Sequence, residues 1–130
     1  FLSHGKDVVT ALAYQRKTPY LPCIYERVSE DSINGNPLHG WEHTGLRRVD
    51  ISGFHCSMIK TSVIRQMEAA GIKEYWGGFE RAGEDFHFCN NLRKINVPLH
   101  VDTELIVGHI SSGFVIDENY KRLHAEGKAQ

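Results

Sequence analysis

Asp7-Val8-Val9-Thr10-Ala11-Leu12-Ala13-Tyr14 is the stretch whose reading decides the fold. Val8, Val9, Ala11, Leu12 and Ala13 leave almost no position to face water. A half-buried strand alternates apolar with polar residues, whereas a short run without alternation is a strand covered on both faces. Such a strand belongs inside a layered α/β architecture, a mixed sheet with flanking helices packed against it.

Working outward, Phe1-Leu2-Ser3-His4-Gly5 reads as the tail of a helix closed by glycine, so the chain is expected to start inside an element, behind a preceding N-terminal half. On the other side, Pro19 and Pro22 flank a short strand candidate around Ile24-Tyr25. Residues 29–45 are polar and rich in turn formers, including Asn34-Gly35-Asn36-Pro37, and read as a long mobile loop. Leu46 to Ile51 reads as a strand, followed by Gly53 and a short apolar piece, Phe54 to Ile59. Thr61 or Ser62 caps a helix whose buried face is Val63, Ile64, Met67 and Ala70, with Gly71 as its stop. A second helix runs from Glu84 to Ile95, with Pro98 beyond its end. Leu99 to Val101 reads as a short strand. Leu105, Val107 and His109 share one face of another strand, with Ile106 and Ile110 opposite. Residues 118–130 are polar and read as a frayed helical tail.

The chain has 130 residues, enough for one domain with a modest core. Its formal charge of -1 gives no electrostatic reason to expect nucleic acid or an anionic membrane as partner. No run approaches the roughly 18–20 apolar residues of a membrane span, and no signal-peptide pattern is present. Cys23, Cys56 and Cys89 are odd in number and widely spaced. That argues against a disulfide framework and fits a reducing compartment, the cytoplasm. The eight histidines read first as scattered surface and loop residues.

Three groups of residues point to chemistry. Placed at roughly 100° per residue, Phe88, Cys89, Leu92 and Ile95 gather on one helix face, with Asp85 near its middle and Glu84 at its edge. A carboxylate on an apolar stripe costs free energy unless it finds donors or lines a cleft. Glu84 and Asp85 can equally serve the free N–H groups and dipole of a helix start. Trp76-Gly77-Gly78-Phe79 is an aromatic-glycine loop, suited to a ligand that approaches the backbone or stacks on rings, or else to packing on itself. His109 is either a buried, hydrogen-bonded histidine or a metal-binding imidazole at a sheet edge. His87 and Cys89 sit two apart on a helix and do not face each other. His100 and Asp102 can share a strand face. Without Cys-x-x-Cys or His-Glu-x-x-His, a closed structural zinc site is not expected.

In their order and spacing these pieces resemble the C-terminal half of a GT-A-fold, nucleotide-sugar-dependent glycosyltransferase, over roughly residues 1–110. Asp7-Val8-Val9-Thr10 looks like the segment after that family's Asp-x-Asp metal motif. Val49-Asp50-Ile51-Ser52-Gly53-Phe54 is similar to its strand and glycine turn beside the donor sugar. Gly83-Glu84-Asp85 looks like its x-Glu-Asp motif. Val101-Asp102 through Gly108-His109 is similar to its late strand with a metal-binding histidine.

The resemblance implies a partial GT-A-like fold, a fragment without the N-terminal nucleotide-binding half. Its residues 1–130 would be the acceptor and catalytic part of an enzyme that moves a sugar from a nucleotide-sugar donor to a hydroxyl acceptor. Asp85 would be the general base and Glu84 would orient a substrate. Gly53 and the loop Trp76, Gly77, Gly78 and Phe79 would contact substrate. His109 would complete a Mn2+ or Mg2+ site. Asp-x-Asp is absent from the chain, so the isolated chain is expected to be inactive. It is also expected to self-associate through an unpaired edge at residues 7–14. Two other classes compete: a non-catalytic carbohydrate- or protein-binding module, and a small metal-dependent hydrolase.

Overall fold

The computed structural model describes residues 1–42, 44–77, 82–111 and 113–128. Strand β1, Val8–Leu12, is buried at every position, as its unbroken apolar run requires. It lies inside a four-stranded mixed sheet. On one side it pairs in parallel with β7, Leu99–Ile106, and on the other antiparallel with β6, Ser57–Ile59. Strand β4, Leu46–Val49, completes the sheet antiparallel to β7. Both edges of β1 are therefore paired within the chain, and the ground for self-association through that strand is gone.

A second sheet joins β3, Gly35–Pro37, β2, Ile24–Arg27, and β5, Ile51–Ser52, all antiparallel. Residues 46–51 thus form two strands in two sheets rather than one. The chain changes sheets at Asp50, whose Oδ2 accepts a hydrogen bond from the Arg27 N–H at 2.9 Å. The two sheets are tied where the hydroxyls of Thr10 and Ser52, both buried, meet at 2.9 Å. Residues 29–45, expected as a loop, include β3 and the buried side chains of Leu38 and Trp41. Turn chemistry concealed a strand that forms only because β2 offers a partner.

Helix α1, Thr61–Ala69, buries Val63 and Met67 in the core and ends before Gly71, which takes φ +77°. Neither Thr61 nor Ser62 caps it, and Ala70 is exposed. Helix α2, Glu84–Lys94, buries Phe88, Cys89, Asn90, Asn91 and Leu92. The Cys89 thiol points at the Ser52 carbonyl, 3.7 Å away, and pins α2 to β5. Burial pushes that thiol up to about 12, so it is an inert core group.

The strand expected at 105–110 is divided. Leu105 and Ile106 end β7, whereas His109 opens β8, His109–Ser111, which forms a hairpin with β9, Phe114–Ile116. The polar tail is a docked helix, α3, Glu118–Ala125, capped by Asp117, whose Oδ1 accepts from the Tyr120 N–H at 2.8 Å. Its Tyr120 meets the buried Tyr20 edge-on at 5.5 Å, and Lys121 lies over the Tyr14 ring. At the chain start, residues 2–4 form a single 3-10 turn ending at Gly5, with φ +63°. No described helix is long and apolar enough to cross a membrane.

Leu12 is fully buried at the centre of this core. Leu12→Ala should lower stability by about 2–5 kcal/mol, read as a reduced denaturation midpoint with an unchanged slope.

Candidate functional site

Strands β1 and β7 are parallel, and just past their C-terminal ends the chain brings Tyr14 and His109 together. The mouths of parallel strands are where open α/β sheets bind ligands. His109 Nδ1 lies 2.8 Å from the Tyr14 carbonyl oxygen. A carbonyl only accepts, so Nδ1 carries the proton and Nε2 keeps its lone pair free. The imidazole of His55 meets that of His109 at 4.3 Å between ring centroids, with planes 70° apart. Cys23 completes a trio. One donor atom each from Cys23, His55 and His109 lies within 4.8 Å of the other two.

The backbone fixes this arrangement from below. The Cys23 N–H donates to the Ala13 carbonyl at 2.8 Å, and the Gly53 N–H donates to the Cys23 carbonyl at 2.8 Å. Cys23 is thereby held between the continuation of β1 and the end of β5. The His55 ring folds back over Gly53, occupying the space where a side chain would begin. A Cβ on Gly53 would stand 2.5 Å from the ring and 3.2 Å from Cys23 Cβ. Gly53 is buried, and the absence of a side chain there leaves room for the His55 ring.

Electrostatics set the charge states. Burial pushes the Cys23 thiol up to about 11, the Asp85 carboxylate adds to the rise, and a hydrogen bond with Tyr25 opposes it. His55 is exposed at its outer edge but packed within. Desolvation, then the proximity of His109 and Arg16, lower its pKa against a backbone hydrogen bond with Gly53. His55 is therefore a neutral imidazole near pH 7, the form that ligates metals.

Asp85 is half-buried at the start of α2, and its charge is felt by Cys23, Tyr25 and Cys89. It faces the protein, as its place on the apolar stripe predicts. Its Oδ1 accepts from the Phe86 N–H at 3.0 Å. Desolvation nevertheless raises its pKa above the ordinary carboxylate value, with Glu84 adding repulsion and the Phe86 hydrogen bond resisting. Burial outweighs the helix start. Glu84 is exposed.

Trp76 stacks on Phe88 at 4.0 Å with rings 8° from parallel, and 42% of it remains accessible. Phe54 meets both rings edge-on at 5.1 Å. The aromatic group thus reaches the trio through Phe54, between Gly53 and His55, and reaches Asp85 through Phe88, on the same helix. Gly77 is buried, and a Cβ there would run into the His87 ring. Gly78 and Phe79 lie outside the described residues.

Cys23 and His55 carried no signal in the sequence. Each stands alone in its own segment, and only the meeting of three segments makes them neighbours of His109. His100 and Asp102 do alternate along β7, but Asp102 pairs with His4 at 2.8 Å. All three cysteines are free. A separate cavity of about 630 Å³ lies between β2, β4 and the second half of α2, and it touches none of the expected site residues. Its Arg27 and Arg93 already donate to backbone carbonyls, Arg27 to Ser32 and Cys89 and Arg93 to Glu30.

The trio offers one sulfur and two nitrogens and no oxygen. Magnesium and, less strictly, manganese favour oxygen ligands, so the donor set does not fit either of them unaided. No protein-family model matches the chain, and no curated protein matches it.

Two outcomes test this geometry. Gly53→Ala should keep the fold while displacing the His55 ring. It should shift the His55 ring resonances but not those of His100, at a cost of no more than about 1–3 kcal/mol. Asp85→Asn should be at least as stable as the parent chain at neutral pH. A carboxyl whose folded pKa is raised favours the folded state below its unfolded value of about 3.9, and this advantage is lost as pH rises through the folded value. Thermal melts of the two proteins should therefore converge in acid and separate toward neutrality, with the asparagine form the higher.

Proposed function

We propose that this chain is the acceptor-side, catalytic part of a sugar-transferring enzyme of the GT-A kind, in which Asp85 accepts the proton of the attacking hydroxyl. One observation carries the reading: a half-buried carboxylate, near enough to Cys23 of the Cys23-His55-His109 trio for its charge to be felt there, sits one helical turn before Phe88, on which Trp76 stacks. Phe88, one turn on from Asp85, is fully buried and carries the partly exposed Trp76 stacked upon it, with Phe54 edge-on to both rings. The accessible part of Trp76 offers a flat apolar face of the kind that orients a sugar ring.

The division of labour follows from the side chains. Desolvation raises the pKa of Asp85, which makes it a stronger base for a hydroxyl proton than an exposed aspartate. Glu84, exposed beside it, is placed to contact the acceptor's own hydroxyls. Trp76 would stack on the sugar ring. The nucleotide-sugar donor would be held by residues beyond these. A Mn2+ or Mg2+ ion accompanying its diphosphate would need oxygen ligands from outside the trio.

The trio also favours one rival, a metal-dependent hydrolase, in which water replaces the acceptor hydroxyl. Product analysis separates the two: transfer yields a sugar joined to the acceptor, hydrolysis yields free sugar whether or not the acceptor is present. In the polypeptide as it is encoded, Asp85→Asn should reduce turnover by about 10²–10⁴-fold with little change in donor affinity and no loss of melting temperature. An unfolded variant, or unaltered turnover, would make Asp85 a structural group.

A further inference from the structure

Cys23, His55 and His109 lie on three segments that share no local motif, yet their donor atoms fall within 4.8 Å of one another. We propose that this trio is a site for a borderline transition ion of the zinc class: Cys23 Sγ, a ring nitrogen of His55 and His109 Nε2 take three corners of a tetrahedron and leave the fourth open. The site goes beyond the sugar-transfer reading and stands without it.

Four features support a built site. The donor chemistry is the first: thiolate and imidazole select zinc and its neighbours over oxygen-seeking ions, and three protein ligands with one open position are the pattern of reactive zinc centres. Second, His109 is already oriented, because its Nδ1 proton is taken by the Tyr14 carbonyl at 2.8 Å. Outer partners of this kind fix the tautomer and aim the ligating nitrogen. Third, Cys23 is anchored by two backbone hydrogen bonds, to Ala13 and from Gly53, and Gly53 leaves the gap that the His55 ring fills. Fourth, the exposed edge of His55 gives the ion a route in.

The distances allow closure. Tetrahedral bonds of about 2.0–2.3 Å set ligand atoms about 3.3–3.7 Å apart. From an outer limit of 4.8 Å, a shift of roughly one ångström suffices. The His55 ring, free at its edge, can make it. On binding, Cys23 Sγ–H gives its proton to solvent and the sulfur-metal bond forms; both imidazoles enter as neutral donors, and no other bond changes.

Cobalt reports this chemistry directly. The metal-stripped 130-residue chain is titrated with Co2+ and then with Zn2+. The expected result is equimolar Co2+ binding with a thiolate-to-cobalt charge-transfer band in the near ultraviolet and intense tetrahedral ligand-field bands, all bleached by Zn2+. Cys23→Ser should abolish the charge-transfer band, and Cys56→Ser should leave it intact. His55→Ala and His109→Ala should each weaken binding by more than the roughly 10–100-fold typical of losing an outer-shell partner. If Cys23→Ser does not fold by circular dichroism, His55→Ala decides, since it removes only a ring exposed at its edge. Absence of the charge-transfer band, its loss in Cys56→Ser, unchanged affinity in His55→Ala, or displacement by Mg2+ as readily as by Zn2+ would each overturn the site. None of these readouts depends on sugar transfer, so the metal site and the transferase reading fail separately.

Discussion

Everything in this fold depends on the complete burial of β1. Val8 to Leu12 expose almost nothing, so every backbone N–H and C=O along the strand must find a partner inside the protein. Pairing with β7 on one side and β6 on the other supplies those partners. The same requirement holds at Ala11, whose N–H donates to the Cys56 carbonyl, and past the strand at Ala13, whose carbonyl accepts from the Cys23 N–H. The two segments that bring Cys23 and His55 into place are thus recruited by the unsatisfied backbone of β1 and its continuation.

That constraint links packing to the site. β7 runs parallel to β1, so both strands end at the same rim, and the chain leaving β7 continues beside the extension of β1, where the Val107 N–H donates to the Leu12 carbonyl and His109 meets the Tyr14 carbonyl. Antiparallel pairing would have sent His109 to the opposite end of the sheet. α2 approaches from the second sheet, clamped by Phe88, Cys89 and Leu92, and its first turn carries Asp85 toward Cys23. The acid is held in a poorly solvated position because the residues one turn on are core residues. The raised pKa of Asp85 and the anchoring of α2 have a single cause.

Donor chemistry and family resemblance pull in different directions at this rim. The order of motifs resembles that of a sugar transferase, which would be served by an oxygen-seeking ion. The three side chains that converge are a thiol and two imidazoles. One rim can accommodate both proposals, since Asp85 would act on a proton while the trio would hold a different kind of ion.

The sequence by itself determined the elements with strong local signals. The unbroken apolar run at residues 8–13 fixed a doubly covered strand, and the 3.6-residue spacing of Phe88, Cys89 and Leu92 fixed α2 and the inward aim of Asp85. Gly71 marked the end of α1 because its backbone has positive φ. Only the tertiary structure decided the rest. β3 hides in turn residues because a three-residue strand has no periodicity of its own and exists through its pairing with β2. The break between β4 and β5, and that between β7 and β8, follow from which partner strand each piece meets, not from local propensity. α3 reads as a frayed helical tail; the helix forms, and Tyr20 and Tyr14 give its Tyr120 and Lys121 something to dock against. The trio was invisible for the same reason. A ligand set on one element leaves a spacing in the sequence, whereas Cys23, His55 and His109 become neighbours only after β1 has gathered their three segments around its C-terminal end.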